Sequence, residues 1–274
     1  MTVRSAEAGT GRTADGPPLL AGYARLGEVF PGLRIRPGPP RSGRGWIRTA
    51  DFLRDRDTLR ELIAFDARQG PARYGAPLRP DVAAGFCLHR YCWPVALLFT
   101  LPWLLERRVP RIPAEQVSIR RRTGELTVQA TDFLCLPDDP AAALPAARVV
   151  PDEAALRAGL RAALTEHLAP VLAAFRPEVR RGPHTLRAMA TDDVIEGLWY
   201  VGSLLGEEER AAAALAGLLP GDASWFTGGP DFRLLERPGS PPLRARTRLS
   251  CCLLYTVGAA ESCFSCPRSC PGRN

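Results

Sequence analysis

The sequence predicts an α/β protein of the α+β type: a mostly helical body packed on a small antiparallel sheet, followed by a C-terminal cysteine-rich tail. Three observations predict it. Apolar residues recur at helical spacing through long stretches on both sides of the chain's centre, a short central stretch alternates strictly instead, and five of the eight cysteines fall in the last 24 residues. The expected organisation is a flexible N-terminal leader over 1–45, a body over 46–240 and a tail over 241–274.

The leader is rich in Gly-Pro-Pro turns around a short segment near Leu20–Phe30. A helix is predicted from Asp51 to Gln69, where Leu59, Leu62, Ile63 and Phe65 share a face and Gly70-Pro71 ends the run. A second helical region spans Asp81–Arg107, broken or kinked at Pro94 and Pro102. Val117 and Ile119, then Leu126 and Val128, flank Arg122-Thr123-Gly124-Glu125, which reads as a β-hairpin, and Thr131–Leu136 extends that sheet. From Asp152 the stripe Leu156, Leu160, Leu164, Leu168, Val171 and Leu172 marks a strong helix behind Pro151. Helices over Thr185–Leu205 and Glu207–Leu219 follow. Residues 222–242 read as a loop, and Leu243–Leu249 as a short strand.

All 36 basic residues are Arg, and the formal charge of +7 permits an acidic partner: nucleic acid, an anionic membrane surface touched peripherally, or an acidic redox protein. No helix-turn-helix, zinc-finger or RNA-binding signature accompanies the charge, so nucleic acid is not expected. Met1–Pro18 has no apolar core of a secretory signal, and the apolar run Val82–Leu105 is interrupted by His89, Arg90, Pro94 and Pro102. The chain is therefore expected to be cytoplasmic, without a transmembrane segment, and its clustered thiols point to metal or redox chemistry before disulfides.

The tail cysteines are spaced C-C-x10-C-x2-C at Cys251, Cys252, Cys263 and Cys266, with Cys270 beyond. Two thiolates two residues apart can reach one metal without strain. Vicinal cysteines point to opposite faces of an extended chain, so both can ligate only if the backbone turns there. A 2Fe–2S cluster, structural zinc and, through Cys263-x2-Cys266-x3-Cys270-Pro271, a 4Fe–4S cluster all compete. Spacing favours 2Fe–2S, with zinc next, and leaves disulfides as the plainer alternative.

The stretch Arg246-Thr247-Arg248-Leu249-Ser250-Cys251-Cys252-Leu253-Leu254-Tyr255, followed by Cys263-Phe264-Ser265-Cys266-Pro267, resembles the C-terminal signature of FhuF-type ferric siderophore reductases. The match covers about the last 30 residues. Upstream, the order of elements is compatible with that family's body, which is similar to the C-terminal domain of IucA/IucC-type siderophore synthetases. The resemblance implies a 2Fe–2S cofactor held by Cys251, Cys252, Cys263 and Cys266, a ferric siderophore substrate of the hydroxamate class, and one-electron reduction of its Fe(III). Cys270 lies outside the pattern. No dinucleotide fingerprint or Walker motif is present, so a separate electron-donor protein is expected.

Arg244, Arg246, Arg248 and Arg268 flank the ligand positions. Close to a cluster they would favour its reduced form; otherwise they are a solvated basic surface or a contact for an acidic donor or chelate. Cys87 and Cys92 are expected in the core and isolated Cys135 as a structural residue, with His89 facing a partner or solvent. His167 and His184 have no companion carboxylates at ligand spacing, and Trp93, Trp103 and Trp199 are read as core residues.

Overall fold

The computed structural model describes residues 19–221, 225–237, 239–257 and 265–268. The predicted α+β fold is found. The elements run α1 (Leu20–Val29), β1 (Arg34–Pro37), β2 (Ile47–Arg48), α2 (Thr49–Arg54), α3 (Arg56–Arg68), α4 (Gly70–Tyr74) and α5 (Pro80–Glu106). Then come β3 (Val109–Arg111), β4 (Val117–Arg120), β5 (Glu125–Val128), β6 (Asp132–Cys135), β7 (Ala147–Val149), α6 (Glu153–Phe175), α7 (Pro183–Leu204), α8 (Glu208–Leu218), β8 (Arg233–Arg237) and β9 (Ser240–Ala245).

The predicted helix over 51–69 is divided at Asp55, whose extended backbone ends α2 and whose carboxylate accepts from the Asp57 and Thr58 amides to cap α3. Gly70-Pro71 starts α4 rather than simply ending α3, because proline is tolerated in a first helical turn. Asp152 caps α6 through the Ala155 amide, and the predicted leucine stripe is wholly buried through Phe175.

The predicted break in the apolar run is absent: α5 is continuous across Pro94 and Pro102. Pro102 has no N–H for the carbonyl four residues earlier, Leu98. The Tyr23 hydroxyl donates to that carbonyl instead, at 2.7 Å. Glu106 in turn accepts from the Gly22 amide in the first turn of α1, at 2.8 Å. Leu26 of α1 is fully buried. From Leu19 onward the expected leader is therefore part of the body; residues 1–18 lie outside the described residues. Among the described residues α5 alone has the length and composition to cross a membrane, but 78% of its apolar window is buried against α1, α3, α6 and α7. Core packing accounts for its apolar character.

The expected hairpin β4–β5 forms, with Val117 opposite Val128 and Ile119 opposite Leu126. Its sheet is mixed rather than antiparallel: β1 adds to β5 in parallel and β2 closes the other edge antiparallel, giving the order β1-β5-β4-β2. Parallel pairing needs a long crossover, which the chain between β1 and β5 supplies. Strand β6 does not extend this sheet; it lies between β3 and β7 in a second one. The region predicted as a loop before the tail contains β8, which pairs with β9. The expected body–tail boundary at 240/241 thus falls within a hairpin.

His167 sits fully buried on α6. Its Nδ1 donates to the Ile112 carbonyl at 2.8 Å, its Nε2 accepts from the Tyr91 hydroxyl at 3.0 Å, and that hydroxyl accepts from Thr49 at 2.9 Å. A neutral imidazole satisfies every group in this chain. Desolvation accordingly holds its pKa down to about 4. The expected core placement of Cys87 and Cys92 is found, Cys135 is buried with them, and burial pushes all three thiols up. Trp103 is buried, while Trp93 and Trp199 are half-buried against the core.

Candidate metal centre

After β9 the chain crosses one face of α7 and bends at Leu249 and Ser250. Residues 246, 248 and 250 direct their side chains at that helix, and residue 252 lines a cavity beside Asp193. The sequence places Arg, Arg, Ser and Cys there. Opposite them α7 presents Asp192, Asp193 and Glu196. Positions four apart on a helix share a face, so Asp192 and Glu196 stand one turn apart beneath the segment.

Asp192 is fully buried and is the hub. It accepts from Arg246 Nη2 at 2.5 Å, from the Leu249 and Ser250 amides at 2.9 Å each, and from the Ser250 hydroxyl at 2.7 Å. Glu196 accepts from Arg246 Nη1 at 2.9 Å, Arg248 Nη1 at 2.8 Å and the Ser265 hydroxyl at 3.0 Å. Arg246 and Arg248 are themselves buried. Burial opposes the charge on Arg248, but Glu196, Asp192 and Asp193 outweigh it and hold its pKa above the usual guanidinium value. Ions this deep are costly unless paired, so the network stands or falls as a unit. The two arginines are therefore not a solvated basic surface. Their charges are matched by carboxylates, and what they do here is tie the tail to α7. Arg244 pairs with Glu208 and Glu209, and exposed Arg268 stacks over Tyr255 with 4.3 Å to the ring centroid.

The vicinal pair follows at once. Cys251 and Cys252 are half-buried, and Leu253, at φ 64°, turns the chain into the single helical turn Leu254–Val257. Val257 packs on Val82 and Phe86 of α5 in a small apolar cluster of its own, which pins the far side of the turn. Residues 265–268 lie alongside: the Arg248 amide donates to the Ser265 carbonyl at 2.9 Å, and Cys266 is buried. Cys251, Cys252 and Cys266 thus lie on neighbouring segments fastened to one helix. Cys263 and Cys270 lie outside the described residues. Among the described residues no three His, Cys, Asp or Glu side chains form a ligand set. Donor chemistry fits a thiolate-held group: all four cysteine positions of C-C-x10-C-x2-C supply thiols, and the chain turns directly after the vicinal pair, at Leu253.

Cys252 also forms part of the wall of a cavity of about 340 Å³, with Tyr74, Phe86, His89, Arg90 and Asp193 among its other lining residues. His89 Nδ1 donates to Asp193 at 2.6 Å, which bears out a partner for this histidine. Burial disfavours the charged imidazole, but Asp193 more than offsets this and its pKa is raised; Asp193, fully enclosed, is raised by desolvation. Sequence reasoning did not single out Asp192, Asp193 or Glu196. Their signal was there: three acids on the stretch of α7 that also carries Met189, Ile195 and Leu198, too many to leave on an apolar face unless something basic covers them. No protein-family model matches the chain, and no curated protein matches it.

Proposed function

We propose that Cys251, Cys252, Cys263 and Cys266 hold a 2Fe–2S cluster, and that the protein is a cytoplasmic reductase of ferric siderophores supplied with electrons by a separate protein. The observation that carries this reading is the placement of Cys252: a vicinal-cysteine segment, fastened to α7 by a buried ion network, forms part of the wall of a cavity of about 340 Å³. That volume lies within the range of small-molecule sites. The spacing C-C-x10-C-x2-C and its resemblance to the FhuF-type signature supply the cluster type.

When bound, a 2Fe–2S group supplies one-electron exchange, the stoichiometry that Fe(III) to Fe(II) requires. The hard oxygen donors of a siderophore hold Fe(II) far more weakly than Fe(III), so reduction releases the metal. Asp192 and Glu196 keep the ligand segment rigid, and Tyr74 and Phe86 give the cavity wall apolar surface. Such support matters because ligands left to move by even an ångström lose their function.

The test is direct. Purified anaerobically, the protein is expected to contain two irons and two sulfides per chain, to be reduced by dithionite, and to be reoxidised by one equivalent of a ferric chelate with Fe(II) appearing in a ferrous trap. Reoxidation no faster than in buffer would refute the reductase. Zinc in a colourless protein would refute the cluster as well.

A further inference from the structure

A second concavity, of about 830 Å³, adjoins the cavity beside Cys252 and shares Arg73 and Arg90 with it. Four different elements bring basic side chains to it: Arg68 from the end of α3, Arg73 from α4, Arg90 from α5, and Arg121 and Arg122 from the β4–β5 turn. Among the described residues the one acid in its wall is Asp66. Five guanidiniums against one carboxylate leave a net charge of +4 on the described lining.

Asp66 is 1% exposed and grips the two inner arginines, Arg90 Nη1 at 2.9 Å and Arg121 Nη2 at 2.5 Å. Tyr74 accepts from Arg90 Nη2 at 2.9 Å. These two guanidiniums are therefore held in place before anything binds. The side chains of Arg68, Arg73 and Arg122 make no ion pair or hydrogen bond with the described residues. Converging like charges in a recess repel one another, and a bound anion relieves that repulsion. Guanidinium also matches carboxylate in planar, two-point geometry.

We propose that this cleft binds an iron chelate whose ferric complex carries net negative charge on carboxylates, and that it does so in preference to the neutral complexes formed by three hydroxamates. Three hydroxamates cancel the charge of Fe(III) and leave nothing for five arginines to grip. A citrate-type complex keeps carboxylate charge beyond what the metal neutralises. Through Arg73 and Arg90 the bound chelate lies against the cavity that Cys252 helps to line. The identity of the ligand as an iron complex rests on the function proposed above; the charge preference does not.

Gallium(III) separates the two, since it copies the size and charge of Fe(III) and accepts no electron. Titrating the full chain with Ga(III)–citrate by calorimetry should show binding that weakens as salt is raised. Arg73→Gln and Arg122→Gln, both at exposed unpaired side chains, should each weaken it roughly 10- to 100-fold, the range for one charged hydrogen bond. A neutral Ga(III) trihydroxamate should bind more weakly and be indifferent to both substitutions. Equal affinity for the two gallium complexes, or no effect of either substitution, would overturn the proposal. Inorganic phosphate binding as tightly as Ga(III)–citrate would overturn the carboxylate assignment. If Ga(III)–citrate binds as expected while ferric chelates go unreduced, the reductase reading alone fails; if reduction proceeds while the arginine variants bind normally, the cleft alone fails.

Discussion

Replacing Asp192 by Asn should release the cysteine segment from α7 while leaving the body folded. The carboxylate receives only donors: a guanidinium, two backbone amides and a hydroxyl. An amide keeps one acceptor oxygen and turns an NH₂ toward the rest. Whichever way it is placed, at least one buried backbone N–H loses its acceptor, and Arg246 keeps only Glu196 as counter-charge. Breaking a buried ion pair by removing one partner costs about 3–5 kcal/mol. At about 1.4 kcal/mol per decade, that is roughly two to four decades in the equilibrium for local opening. Hydrogen–deuterium exchange reads it at the Leu249 and Ser250 amides, which should exchange faster by that factor in D192N up to the limit set by the fully open chain. Amides in the buried centre of α5 should keep their protection, because the hydrogen bonds and ion pairs of Asp192 run to the tail segment and not to α5. Iron bound per chain should fall in parallel, although every cysteine is still present. Unchanged protection at Leu249 and Ser250 would refute the anchoring argument, and loss of protection throughout α5 would refute its locality.

Two further outcomes test the body. His167 is buried neutral with a pKa near 4 against an ordinary 6.5, so between those values the unfolded chain binds a proton that the native ring does not; stability should rise by about 3 kcal/mol from pH 4 to pH 6.5, and urea titrations of His167→Gln across that window should lack this component of the slope. Identical slopes in the two proteins would show that the ring titrates alike folded and unfolded. Gly124 turns the β4–β5 hairpin at φ 64°, and a Cβ there would lie 2.1 Å from the Gly32 carbonyl oxygen, whereas Gly43, at φ 72°, has open space. Gly43→Ala should cost only the left-handed backbone penalty of about 1–2 kcal/mol, and Gly124→Ala clearly more, in thermal melts run side by side. Equal losses would mean the Gly32 backbone moves aside freely.

Elements whose burial follows a simple period were legible from the residues alone. The leucine stripe of α6 and the alternation of β4 and β5 each bury one face locally, so spacing was enough. The leader helix was not legible, because what holds α1 is distant: Tyr23 reaches a carbonyl that Pro102 leaves without a donor, 75 residues along the chain. The same holds for β1, whose partner β5 is supplied by the far side of a long crossover. Hairpin β8–β9 has Leu234 and Leu235 exposed side by side, with no alternation for a sequence pattern to report.

At the candidate site the division is similar. The sequence by itself determined the thiols, their spacing, and the alternating Arg-x-Arg-x-Ser approach to them, because ligand chemistry and extended-chain geometry are properties of a short segment. Only the tertiary structure decided what that approach is for. The arginines meet Asp192 and Glu196 at least 50 residues away, and a guanidinium's role depends on whether its neighbour is water or a carboxylate. Tertiary structure likewise decided that Cys252 faces a cavity and that five arginines from four elements converge beside it, since a concave surface exists only once the elements that wall it have packed together.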